Sequence, residues 1–189
     1  MNRRNLAAAA LALATSLAAL ADPGLRDSIL ASLAAQPQKH FSFVQEKKLA
    51  MLEKPLVTSG ELRVSADRRV VWDIRQPYEM RYEISGNTIR EIDANGERVI
   101  HAGGNPLAAA LSDAMAAAFS GQWQGKEELA TVAAEGTQAN WILHVTPHSA
   151  DLRKLVSNID VHGSQQTITT VQISESNGDR TLIHLQTLQ

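Results

Sequence analysis

The sequence predicts a mainly β chain (α+β) in which about ten short antiparallel strands form one large curved sheet or barrel, accompanied by two main helices. Three observations carry this expectation. Residues 69–84, RVVWDIRQPYEMRYEI, alternate: Val70, Trp72, Ile74, Met80, Tyr82 and Ile84 share one parity, and Arg69, Asp73, Arg75, Glu79, Arg81 and Glu83 the other. Turn chemistry recurs at short spacing, in Ser85-Gly86-Asn87, Asn95-Gly96 and Ser176-Asn177-Gly178-Asp179. After Asn105-Pro106 the period changes, and Leu107, Leu111, Met115 and Phe119 follow at four-residue intervals.

The elements follow in order. Residues 1–21 read as a secretory signal peptide: Arg3 and Arg4 form a basic start, residues 6–17 an Ala/Leu-rich run, and Ala19-Leu20-Ala21 a small-x-small cleavage site. The run is too short and alanine-rich for a spanning helix, which needs about 20 apolar residues. Asn5-Leu6 matches twin-arginine export poorly, so general secretory export is expected, and no cysteine near the cleavage site offers a lipid anchor. Residues 22–189 are expected to form a single domain, soluble in the periplasm once the peptide is removed.

Asp22-Pro23-Gly24 opens a helix with an Asp cap and a Pro in its first turn, and Leu25, Ile29, Leu30 and Leu33 recur at helical spacing until Gln36-Pro37. Phe41 and Phe43 share a face of the next strand, and Leu62 and Val64 one of the strand after it. From Thr58 the chain reads as an up-and-down meander that takes in the 69–84 ribbon and runs to about residue 100. Asn105 is a plausible N-cap and Pro106 an N1 residue for a second helix ending at Ser120-Gly121. Strands resume near residues 129–134, 141–145, 155–161, 167–173 and 181–188, with Trp141, Leu143 and Val145 on one face.

Composition excludes several functions. Without Arg3 and Arg4, 16 of the 18 basic residues face 20 acidic ones, a formal charge of −4, and no basic stripe with interleaved aromatics points to nucleic acid. There is no cysteine, hence no disulfide framework and no thiolate chemistry. His40, His101, His144, His148, His162 and His184 form no H-x-H pair or H-E-x-x-H helix, so a metal site would need ligands converging from separate strands. No G-x-S-x-G elbow or phosphate loop occurs. Glu79 with Glu83, or Glu127 with Glu128, are better explained as solvated than as a glycosidase pair. No catalytic residue, metal or cofactor is assigned, and an enzyme is disfavoured.

The set formed by the amphipathic first helix, Phe43-Val44-Gln45, Ser59-Gly60-Glu61-Leu62, Trp72 with Gln76-Pro77, and Asn105-Pro106-Leu107 resembles the periplasmic outer-membrane lipoprotein carrier (LolA-like) family across essentially the whole mature chain. The resemblance implies an incomplete, strongly curved antiparallel β-barrel closed by helices over an apolar cavity. It implies a monomeric carrier that takes an acylated lipoprotein from an inner-membrane releasing transporter to an outer-membrane acceptor. Residues 52–62 look like a divergent branch associated with aryl polyene or other glycolipid export, which makes a glycolipid an alternative cargo. At the position where well-known members carry a lid-latching arginine before a proline, this chain has Ala66 followed by Asp67, so that role does not carry over.

The lipid-binding lining expected on this basis is Phe41, Phe43, Leu62, Val64, Val70, Trp72, Ile74, Met80, Tyr82 and Ile84, with Leu107, Leu111, Met115 and Phe119 on the closing helix. Each of these is equally at home in a filled core. Two rival readings stand beside the carrier: a secreted β-sheet interaction or envelope-assembly factor without lipid cargo, and a hydrolase using scattered His and Asp residues.

Overall fold

The computed structural model describes residues 23–36, 38–67, 69–85, 88–101, 117, 119–123, 125 and 127–188. In chain order they form α1 (Pro23–Ala34), β1 (Lys39–Lys48), β2 (Leu56–Val64), β3 (Val70–Gln76), β4 (Met80–Ser85), β5 (Thr88–Asp93) and β6 (Gly96–His101). These are followed by β7 (Ala130–Thr137), β8 (Asn140–Pro147), α2 (Ala150–Arg153), β9 (Val156–Ser164), β10 (Thr167–Glu175) and β11 (Arg180–Thr187).

All eleven strands belong to one antiparallel sheet, in the order β6-β5-β4-β3-β2-β1-β11-β10-β9-β8-β7. Each neighbouring pair but one is a local hairpin or short connection, as alternating runs between turn residues dictate. The exception is the seam at the centre, where β1 pairs with β11 and Phe43 stands opposite Leu185. Two meanders, β1 to β6 and β7 to β11, thus lie side by side as arms of one sheet.

The expected barrel is corrected here. The sheet is open, neither closed nor strongly curled: β6 and β7 stand at opposite ends of the strand order, and among the described residues no pairing joins them. The seam spends the free edges of β1 and β11 on each other, so the two arms continue in one strand order with β6 and β7 at its two ends. Nor do the described helices close it. The two helices described are α1, of 12 residues, and α2, of four, with helical geometry also at Ala117, Phe119 and Ser120. Leu107, Leu111 and Met115 of the expected closing helix lie outside the described residues.

The core lies on one face. In the first arm Phe41, Phe43, Leu62, Val64, Val70, Trp72, Ile74 and Ile84 are buried, with the Phe43 and Trp72 ring centroids 4.9 Å apart. Register carries the same parity from strand to strand: Phe41 pairs with Leu62, Leu62 with Trp72, and Trp72 with Tyr82. On β5 the apolar face narrows: Tyr82 meets Glu91 and Met80 meets Asp93, while Ile84 meets Ile89, which packs on the core. In the second arm Trp141, Leu143, Val161 and Ile168 are fully buried or nearly so. The Trp141 ring lies over Gly163, where any Cβ would collide with it, and its indole N–H donates to the Gln165 carbonyl at 3.1 Å.

Helix α1 packs along β7 and sends Ile29 and Leu33 into the core. Its last turn contains no basic residue, so the carbonyls there need a donor from elsewhere. Lys39, buried on β1, supplies it: Nζ donates to the Leu33 carbonyl at 2.7 Å and the Gln36 carbonyl at 2.9 Å. Burial lowers the pKa of this amine to about 8.

Candidate functional site

The inner face of the second arm is built from short β-branched side chains. Val145 comes from β8, Val156, Ile159 and Val161 from β9, Ile168, Val171 and Ile173 from β10, and Ile183 from β11. A bulge between Ile168 and Thr170 moves β10 out of strict alternation, so that Ile168 and Val171, three residues apart, both face inward. These side chains, together with Trp72, Phe119 and Trp123, surround a cavity of about 450 Å³. That volume lies within the range of about 300–1,000 Å³ usual for small-molecule pockets.

The exposed members of the lining mark its mouth. Lys154, Leu155 and Asn177 are exposed, and with Val156 and Glu175 they sit where α2, the start of β9 and the β10–β11 hairpin meet. Glu175 is held there by Lys47 on β1, Nζ to Oε1 at 2.8 Å. A second, more polar cleft of about 860 Å³ lies between α1, residues 121–123 and the start of β7, and is lined in part by Arg26, Asp27, Glu127, Thr131 and His148. Trp123 lines both spaces, with 6% of its surface exposed, and is the wall they share.

Chemically the smaller cavity can exclude water and hold hydrocarbon. Among the described residues its only charged lining groups, Lys154 and Glu175, are at the mouth.

The polar clusters lie on the opposite face. His144 hydrogen-bonds Asp160 through Nδ1 at 2.7 Å and Glu135 through Nε2 at 3.3 Å. Burial opposes its protonation, but the two carboxylates outweigh it and raise its pKa. With a carboxylate on each ring nitrogen, it has no position from which to activate a hydroxyl nucleophile. Glu61 is held ionised below the usual carboxylate range, chiefly by its bond to His40 at 2.9 Å, with Arg63 and Arg75 adding to it. Among the described residues no group of three or more His, Asp or Glu side chains could hold a metal ion.

Of the residues expected from sequence, Trp72 and Phe119 line the cavity. Phe41, Phe43, Leu62, Val64, Val70, Ile74 and Ile84 are buried in the core, and Met80 and Tyr82 are half-buried against it. Sequence reasoning missed Trp123 and the β8–β11 set. Their signal was present in the alternation of strands 141–145 and 155–161, but the aromatic-rich ribbon in the other arm drew the assignment.

No helix among the described residues is long and apolar enough to cross a membrane. No curated protein matches the sequence. Solved structures similar to it include a LolA superfamily protein from Nitrosomonas europaea, at 8% identity over 87% of this chain and 94% of that one, with a TM-score of 0.48. The Pseudomonas aeruginosa MucA/MucB complex matches at 14% identity over 87% of this chain and 57% of that one, with a TM-score of 0.43. LprF from Mycobacterium bovis matches at 10% identity over 85% and 91%, with a TM-score of 0.31. The family model described as outer membrane lipoprotein carrier protein LolA-like matches residues 18–186, nearly the full length, and the chain belongs to that family.

Proposed function

We propose that this chain is a non-enzymatic periplasmic carrier, exported by its signal peptide and monomeric, that shelters the acyl chain of a lipoprotein or lipid between an inner-membrane releasing transporter and an outer-membrane acceptor. The observation that carries this reading is the apolar cavity of about 450 Å³ open at one end of the sheet. An acyl chain gains roughly 0.8 kcal/mol per buried CH₂, so about ten methylenes in the cavity are worth about 8 kcal/mol against water. A charged mouth and an uncharged interior suit an amphiphile whose head stays outside. The character of residues 52–62 keeps a glycolipid or polyene-linked lipid beside a lipoprotein as the finer form of the cargo.

The test is uptake of a fluorescent acyl probe by the purified protein, joined to mass spectrometry of lipid co-purifying from its native periplasm. Ile173→Glu and Trp72→Glu are expected to abolish uptake in folded protein, because an unpaired buried carboxylate is costly, while Glu83→Gln leaves it unchanged. Undiminished uptake in a folded Ile173→Glu variant, or native protein free of any lipid or acylated partner after crosslinking, would overturn the reading.

A further inference from the structure

The two strands at the ends of the sheet offer different things to a partner. β6 is six residues long and carries Glu97 and Arg98, whereas the eight residues of β7 include one charge, Glu135, and no Lys, Arg or Pro. Charges and prolines are what natural sheets use to guard a free edge. β7 has α1 beside it instead, and the polar cleft of about 860 Å³ lies between the two. Ala130, Thr131 and Val132 all line that cleft. They are consecutive, with side chains alternating between the faces, so the cleft runs along the edge of β7 rather than over one face of the sheet.

Register says which backbone groups point into it. The His148 N–H donates to the Leu129 carbonyl at 2.9 Å, and Ala130 stands opposite Pro147, which has no N–H to give. Hydrogen-bonded pairs alternate along an antiparallel ladder, so Leu129, Thr131 and Ala133 turn their N–H and C=O toward β8, while Ala130 and Val132 turn theirs away from it. Among the described residues no backbone group pairs with them on that side. Donor and acceptor thus recur in line, about 7 Å apart along the strand. The complement of that pattern is another extended backbone.

The opposite wall is already in place. α1 turns Leu30, Ala31 and Ala34 to the cleft and Ile29 and Leu33 to the core. The Gln138 amide, just past β7, donates to the Ser28 hydroxyl, and Gly121 packs on the last turn of α1 so closely that a Cβ there would lie 2.8 Å from Leu33 Cβ. Small side chains on this wall leave room for a backbone beside it. The charged groups among the described lining are Arg26, paired with Asp27 at 2.7 Å, and Glu127, so recognition falls to the backbone rather than to charge.

We infer that this cleft takes an extended polypeptide segment, which adds to the edge of β7 as a further strand between β7 and α1. Its occupant is the peptide that follows the acyl group of an acylated cargo, an identification that rests on the carrier reading. Trp123 is the wall common to the cleft and the apolar cavity, and the starts of β7 and β9 bring both to the same end of the sheet. One molecule can therefore place its acyl chain in the cavity and its first residues against β7. A lipid without a polypeptide has no backbone to pair there, so the cleft selects a lipoprotein over a free lipid.

The experiment compares fluorescent palmitic acid, an N-palmitoyl Thr-Ser-Thr-Ser-Thr-Ser amide, and the same lipopeptide with its backbone amides N-methylated, each titrated onto the mature protein. The lipopeptide is expected to bind at least about tenfold more tightly than its N-methylated form and to slow hydrogen exchange at the Ala130 and Val132 amides. Val132→Pro removes an N–H that β8 does not use, a change an edge strand tolerates, and Ala31→Gln reaches into the cleft from an exposed position on α1. Each is expected to bring the two lipopeptides within about twofold of one another while palmitic acid binds as before. Val99→Pro on β6 is the control and leaves the preference in place. Equal binding of the two lipopeptides by native protein that takes up palmitic acid overturns the strand site and leaves the carrier reading standing. Failure to bind palmitic acid counts against the carrier reading instead, and the unacylated hexapeptide at millimolar concentration then tests the strand site by itself: exchange at Ala130 and Val132 is expected to slow, and unchanged exchange overturns it. Loss of the preference in Val99→Pro, or a native dimer that Val132→Pro dissociates without any lipopeptide preference, also overturns the inference.

Discussion

The arms β1 to β6 and β7 to β11 share one alternation and one sheet, yet they use their apolar faces differently. In the first, aromatic and branched side chains are buried, and among the described residues Trp72 alone borders the cavity. In the second, eight Val and Ile side chains from β8 to β11 border a cavity. Side-chain size accounts for the difference: Phe41, Phe43 and Trp72 reach across the face, whereas valines and isoleucines stop short of whatever stands opposite. The second arm has its bulky Trp141 packed down over Gly163, which leaves the space above the neighbouring valines and isoleucines unfilled.

The contrast is tested most severely by Phe43→Ala, expected to lower the unfolding free energy by about 3–5 kcal/mol in denaturant titration. A cost under about 1 kcal/mol would mean that the first arm is hollow too. Next, Lys39→Met removes the donor to the Leu33 and Gln36 carbonyls at the end of α1, and a loss of about 1.5–3 kcal/mol is expected from these charge-assisted bonds. Third, Ile173→Phe places extra volume in the cavity: a well-packed core resists such a change by about 1–3 kcal/mol, and here a cost under about 1 kcal/mol is expected together with loss of acyl-probe uptake. A large cost without loss of uptake would show that the space is not the binding site.

The smallest effect concerns pH and has opposite signs in the two arms. The Lys39 amine, at about 8 when folded, loses its proton before the unfolded chain does, so its contribution rises with pH from about 8 to about 10.5. The pKa of His144 is raised, so the stabilisation by Asp160 and Glu135 is full below the unfolded value of about 6.5 and is lost as pH climbs through the folded one. Melting curves of Lys39→Met and His144→Gln across that range should each flatten one of these slopes. Native-like slopes in both variants would remove the assignment.

Much of the strand pattern was legible because each hairpin is a local event: alternation gave the faces, and Asn95-Gly96 and Asn177-Gly178 marked turns that the structure contains. The seam was not, since Phe43 and Leu185 stand 142 positions apart and nothing in either strand names the other as partner. Without it the sheet read as curling into a barrel. The cavity was only half legible for a related reason. The bulge after Ile168 resets parity through backbone geometry, and open space depends on what faces Ile159 and Val171 across the interior.

The seam also sets an order of events in time. Every other strand pair can zip as soon as its hairpin is complete, but β1 must wait for β11, the last strand of the chain. Contacts at such separation carry a large closure entropy and form slowly. A chain that becomes available from its first end onward therefore cannot complete the centre of its sheet until β11 is free to pair.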